Sequence, residues 1–179
     1  MDGLPIDEVH VWLAPAAEAQ GAVRSVLARY LGGAVEVEVA PGGKPFVVGG
    51  AVSFNLSHSG ALAAVAVAAG REVGVDVQER RPVHRRDGVA RRVMTPGELD
   101  RYLALPGEEG LDFLLWLWAR KEALVKATGE GLRRSQRDMS CEPPPDGRWS
   151  VADLDVPGYA AAVAAEGHDW RPLTRVWST

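Results

Sequence analysis

Apolar and polar residues alternate with a period of two along Glu8–Leu13 (EVHVWL), the pattern of a half-buried strand. From Ala16 to Tyr30 the spacing changes. Val23, Val26, Leu27 and Tyr30 fall three and four residues apart, as on one helical face, and Gly32 and Gly33 stop the helix. Val35–Ala40 returns to strict valine and glutamate alternation and runs into the turn PGGKP, Pro41–Pro45. A strand is predicted at Val52–Leu56. The run Ala61–Ala69 is so rich in alanine that its period decides nothing, and its later part is read as strand. Glu72–Val77 (EVGVDV) reads as another strand after a turn at Gly70 and Arg71. Beyond a polar stretch, Pro96 opens a helix with Thr95 as its cap and Glu98 in its first turn, ending near Pro106. Leu111–Thr128 is the longest helical candidate, apolar from Phe113 to Trp118 and charged from Arg120 onward. A proline-rich loop at Pro143–Pro145 precedes strands around Arg148–Val151, Tyr159–Ala165 and Leu173–Trp177. Both halves therefore read as a helix followed by strands, which permits an α+β fold of two similar lobes.

Composition narrows this mainly by exclusion. At 179 residues and 46% hydrophobic content, the chain holds one ordinary domain or two small packed halves with a real core. Its single cysteine, Cys141, has no internal disulfide partner, and Ser140 and Glu142 give no metal-ligand spacing, so a reducing, cytoplasmic setting fits best. No apolar run reaches membrane-spanning length. Asp2, Asp7 and Glu8 stand where a leader would carry basic residues, so neither membrane nor export is expected. A net charge of -4 argues against nucleic acid as the main partner. The basic residues nevertheless cluster in ERRPVHRRDGVARR, Glu79–Arg92.

Candidate chemistry is concentrated in four segments. In WARKEALVKATGEGL, Trp118–Leu132, Glu122 and Lys126 are four apart and share a helical face, with Lys121 beside them. A carboxylate among ammonium groups can hold a metal ion and the phosphate it neutralises, but the same spacing also describes an ordinary surface ion pair. Asp76 lies in the apolar strand VGVDVQ, where an ionised carboxylate is costly unless paired or metal-bound. Alternation puts Gln78 on the same face, and both oxygens suit a hard cation such as magnesium. Pairing with a nearby arginine or capping of a turn accounts for Asp76 equally well. FNLSHSG, Phe54–Gly60, has no glycine two residues before Ser57 or Ser59, so it is not a nucleophile elbow. Its hydroxyls and His58 can hydrogen-bond phosphate oxygens, while a lone histidine is as readily a surface residue. Lys44 sits in a tight turn, GGKP. There is no Walker A sequence, no complete dinucleotide fingerprint and no H-E-x-x-H.

In this order and spacing, GKP, FNLSHSG, VGVDVQ and WARKEALVKATGEGL resemble the signature series of the 4′-phosphopantetheinyl transferases of the surfactin-synthetase type, over Gly43–Leu132. RWSVADLDVPGYAAAVAA, Arg148–Ala165, is similar to the family's terminal segment. The resemblance implies an α+β fold of two similar lobes related by a pseudo-twofold axis in one chain, here 1–78 and 79–179, with coenzyme A in the cleft between them. It implies a holo-[acyl-carrier-protein] synthase activity: magnesium-dependent transfer of the phosphopantetheine arm of coenzyme A to a serine of an apo acyl or peptidyl carrier protein, releasing 3′,5′-ADP. Asp76, Gln78 and Glu122 would hold the metal. Glu122 would also be the base, and Lys126 and Lys121 would face the pyrophosphate. Lys44, Ser57 and His58 would contact the phosphates of coenzyme A. An acidic carrier, from polyketide or nonribosomal peptide synthesis, would dock on the 80–92 segment, and the protein would act as a monomer. Two departures stand out: Gln78 replaces a frequent second glutamate, and the short N-terminal half lacks a basic segment that grips the adenosine end, leaving Arg24 and Arg29 as the only basic residues of its helix. They keep open the alternative of a non-catalytic module that binds the carrier protein or coenzyme A.

Overall fold

The computed structural model describes residues 3–129, 136–141 and 147–178; Pro143–Pro145 and the motif end Glu130–Leu132 lie outside the described residues. The first half comprises β1 (Glu8–Pro15), α1 (Ala19–Leu31), β2 (Val37–Val39), β3 (Pro45–Val47), β4 (Val52–Ser59), β5 (Leu62–Ala69) and β6 (Val73–Glu79). Then come α2 (Arg86–Val93), α3 (Pro96–Ala104), α4 (Gly107–Thr128), β7 (Trp149–Leu154), β8 (Tyr159–Glu166) and β9 (Arg171–Val176). The chain is thus a mixed α+β protein. Sheet 1 has the order β4-β5-β1-β9, antiparallel except for the parallel β1–β9 pair; sheet 2 is antiparallel, β6-β8-β7. The sheets do not divide at residue 78. β6 pairs with β8, and β9 returns to the N-terminal sheet, so each sheet takes a strand from across that boundary.

Four layers result. α1 covers one face of sheet 1, the other face meets sheet 2, and α4 covers the far face of sheet 2. Alanine makes this stacking close. In β5, Ala64, Ala66 and Ala68 face sheet 2 while Val65 and Val67 face α1; in β8, Ala160, Ala162 and Ala164 face α4. Both are central strands covered on both faces, which is why the alanine-rich run shows no polar alternation and is strand over its full length, Leu62–Ala69. Gly74 shows how tightly α4 is seated: a Cβ there would lie 2.2 Å from the Ala123 carbonyl oxygen.

Other boundaries move for local reasons. The Val35–Ala40 alternation yields only three strand residues, Val37–Val39, all exposed, because its sole partner is the short β3. α4 begins at Gly107 rather than Leu111, since Pro106 is extended and Glu108 and Glu109 suit a helix's first turn. Within the basic segment a helix forms, α2, entered through Arg85 in the left-handed region (φ 53°). Thr95 caps α3 as expected, with a full capping box: Glu98 N–H donates to Thr95 Oγ1 at 3.3 Å and Thr95 N–H to Glu98 Oε2 at 2.7 Å.

Candidate active site

β4 and β6 are edge strands of their sheets, and an edge carries unpaired backbone donors. Here alternate side chains of FNLSHSG accept them. Asn55 Oδ1 accepts from Val75 N–H at 3.0 Å, Ser57 Oγ from Val77 N–H at 3.4 Å and Ser59 Oγ from Glu79 N–H at 3.0 Å. The motif is therefore first a ladder that fixes β6, and with it Asp76, against sheet 1.

Asp76 is buried, at 3% exposure, and fully engaged. Its Oδ1 accepts from Lys126 Nζ at 2.6 Å and from Ser57 Oγ at 2.8 Å; its Oδ2 accepts from Gln78 Nε2 at 2.6 Å. Lys126 also donates to Ser57 Oγ and the Val75 carbonyl, at 3.0 and 3.1 Å. A buried carboxylate is stable in this form because an ammonium and two further donors replace its water. The cation that Asp76 meets here is a lysine of α4 and not one of the nearby arginines.

Glu122 lies four residues before Lys126 on α4, roughly 6 Å along the axis. Its Oε1 accepts from Gln136 Nε2 at 2.5 Å. Glu122, Lys126 and Gln136 line a cleft of about 660 Å³ together with Lys44, Arg92 and Trp118. Lys44 comes from the glycine turn: its ammonium donates to the Ala127 carbonyl at the C-terminal end of α4 at 2.9 Å and to Glu72 at 2.6 Å. Three expected site residues, Lys44, Glu122 and Lys126, thus line one cleft, with Asp76 immediately behind Lys126.

Two expected phosphate contacts are corrected. Lys121 has no exposed surface and is not among the cleft-lining residues, donating to Glu98 Oε2 at 2.5 Å, the Val93 carbonyl at 2.8 Å and the Gln136 carbonyl at 3.0 Å. All three of its protons are taken, so it clamps α4 to the ends of α2 and α3. Ser57 is also buried, and its single hydroxyl proton goes to Asp76, leaving none for a phosphate. Its role is to hold Asp76. His58 is exposed near the end of β4 and is not among the cleft-lining residues.

Asp76, Gln78 and Glu122 offer oxygen donors only, the kind that magnesium takes. Among the described residues no group of three or more histidine, cysteine, aspartate or glutamate side chains is placed to hold a metal ion by itself. The set fits an ion held by one or two carboxylates and completed by substrate phosphates and water.

The sequence pattern of the 4′-phosphopantetheinyl transferase superfamily matches residues 72–178, well over half of the chain. The 4′-phosphopantetheinyl transferase HetI of Nostoc sp. is 33% identical over 169 residues, covering 86% of this chain and 71% of that protein. The chain belongs to the 4′-phosphopantetheinyl transferase superfamily. Its relatives include 4′-phosphopantetheinyl transferase Sfp of Bacillus subtilis, 29% identical over 129 residues (65% of this chain, 56% of that protein). Another is 4′-phosphopantetheinyl transferase AcpT of Salmonella typhimurium, 37% identical over 107 residues (59% and 56%). The chain thus spans little more than half the length of these two.

The superfamily match takes in Asp76, Gln78, Glu122 and Lys126 but begins after Lys44, Ser57 and His58. Reading the motifs of a phosphopantetheinyl transferase from sequence missed Gln136, which holds Glu122 from 14 residues further along the chain and leaves no local signal. It also missed the Asn55 and Ser59 contacts, for which the period-two polar positions of FNLSHSG were a readable sign. No helix among the described residues is long and apolar enough to cross a membrane.

Proposed function

We propose that this chain transfers the 4′-phosphopantetheine arm of coenzyme A to a serine of an apo acyl or peptidyl carrier protein and releases 3′,5′-ADP. The observation that carries the reading is the cleft in which Glu122 and Lys126 share one face of α4, with the buried Asp76 behind the lysine. The serine Oγ gives its proton to Glu122 and bonds to the pantetheine-side phosphorus. The phosphorus–oxygen bond to 3′,5′-ADP then breaks. Lys126, fixed by three acceptors, and Lys44, with one of its three protons uncommitted among the described residues, supply positive charge where the leaving phosphate gains negative charge. Magnesium, held by Asp76 and Glu122 with Gln78 alongside, would neutralise the pyrophosphate. His58, on the exposed side of β4, is assigned to an outer phosphate contact.

Carrier docking is assigned to the basic 80–92 segment, which the structure sorts into two groups. Arg80 pairs with Asp112 at 3.0 Å, Arg81 with Glu79 at 3.6 Å, and Arg86 donates to the Gly107 carbonyl at 2.7 Å. Arg85, Arg91 and Arg92 are exposed, and Arg92 lines the cleft, so these three are the better candidates to meet an acidic carrier. The same reading has two similar lobes related by a pseudo-twofold axis, supported by one long helix backing each sheet. It also has a cytoplasmic monomer, since one chain supplies Lys44, Asp76 and Glu122 together.

The test is incubation of the protein with coenzyme A, magnesium and a panel of apo carrier proteins, followed by intact-mass spectrometry. A phosphopantetheine adduct on a carrier, absent when its serine is replaced by alanine, is the expected result. Coenzyme A binding with no adduct on any carrier would instead make the chain a binding module.

A further inference from the structure

The cleft leaves unused Arg29, one of the two arginines that the sequence singles out on α1. The Arg29 guanidinium carbon stands 4.9 Å from the ring centroid of Trp12, and that of Arg175 stands 5.7 Å from the same centroid. Trp12 and Arg175 are register partners across the parallel β1–β9 pair, so they share a face of sheet 1, and it is the face that α1 covers. With Ser25, Trp177 and Ser178 they line a groove of about 290 Å³ between α1 and β9. β9 and β4 are opposite edges of sheet 1, three strand spacings or roughly 14 Å apart, so the groove is separate from the cleft beside β4.

Among the described residues the lining contains two guanidinium groups, two indoles and two hydroxyls, and no carboxylate. Neither arginine has an acidic partner among the described residues, although the chain as a whole is acidic. Trp177 Nε1 is buried with no hydrogen-bond partner among the described residues, an arrangement that an acceptor would relieve. Two planar forks that supply only donors suit a phosphate group, whose three terminal oxygens accept more hydrogen bonds than a carboxylate does. Trp12 is already covered by both cations, so recognition here rests on the anion and not on stacking a base against that ring.

We propose that the α1–β9 groove is an anion site for the phosphate group of a phosphomonoester, held by Arg29, Arg175 and the Trp177 indole N–H. This does not depend on the transfer reaction. The chain has six tryptophans, and Trp118 in the cleft and Trp177 in the groove act as separate reporters. The experiment follows indole N–H resonances of the ¹⁵N-labelled full chain, assigned with Trp177→Phe and Trp118→Phe, during titration with inorganic phosphate, glycerol 3-phosphate or acetate at constant ionic strength. Saturable movement of the Trp177 resonance with both phosphates, and much weaker movement with acetate, is expected. Arg29→Gln with Arg175→Gln should weaken binding at least tenfold, and Arg175→Lys, which keeps charge but loses the fork, should weaken it severalfold. A non-saturating shift, a response confined to Trp118, or undiminished binding in the folded double variant would overturn the proposal.

Discussion

Lys121 and Lys126 belong to one motif on one helix, yet their surroundings are opposite. Five residues turn an α-helix by about 500°, so the two side chains leave α4 roughly 140° apart. Lys121 enters the junction of α2, α3 and α4, where Glu98 and two carbonyls exhaust its protons. Lys126 enters the cleft, where it meets Asp76 and Ser57 and retains a surface for a ligand. Identical chemistry therefore serves architecture in one place and a site in the other. Exposure distinguishes them, since each ammonium has three acceptors: the Lys121 side chain is 0% exposed and that of Lys126 27%.

Three substitutions test that contrast, beginning with the largest effect. Lys121→Met should cost about 3–5 kcal/mol of unfolding free energy, because Glu98 is left with an uncompensated charge beside buried carbonyls. Chemical denaturation measures it, and a loss of coenzyme A affinity without loss of stability would reverse the assignment. Lys126→Met should lose only about 1–3 kcal/mol, since Asp76 keeps Ser57 and Gln78, while coenzyme A affinity by calorimetry falls tenfold or more. Gln136→Ala should lower kcat by about tenfold, or roughly 1.4 kcal/mol, with KM for coenzyme A little changed, because it loosens Glu122 without touching the lysines. Equal loss in KM would place Gln136 in binding.

The smallest effect lies outside both lysine sites. Hydrogen bonds from His10 and then Arg171 hold the Glu8 carboxyl below its ordinary value of 4.5. A depressed carboxyl pKa contributes stability that is complete above the ordinary value and is lost as pH falls through the folded value. Thermal unfolding of Glu8→Gln should therefore show a shallower acid limb than the parent chain, and coincident limbs would contradict this.

How much was legible follows from where the information sits. The α1 stripe and the Thr95 cap are local patterns, and each appears where the spacing puts it; β1 forms where its alternation predicts, but Val9–Trp12 are buried on both faces and not half-buried. The alanine strands were ambiguous because burial on both faces erases the period that identifies a strand. Gly74 was readable in principle, since glycine inside a strand signals a close backbone approach, here α4. Asp76, Glu122 and Lys126 were singled out because they lie in recognisable motifs, and the structure brings them to one place. Lys121 was misplaced because a motif reports which residues occur together but not which way each side chain leaves its helix. Gln136 was invisible because its link to Glu122 exists only in three dimensions.

The most direct measurement is the rate of phosphopantetheine adduct formation on an apo carrier, by mass spectrometry, for the parent chain and Glu122→Gln at matched folded fraction and saturating coenzyme A. If Glu122 takes the serine proton, the variant should transfer about a hundredfold or more slowly with its thermal transition unchanged. Transfer at the parental rate would contradict the account.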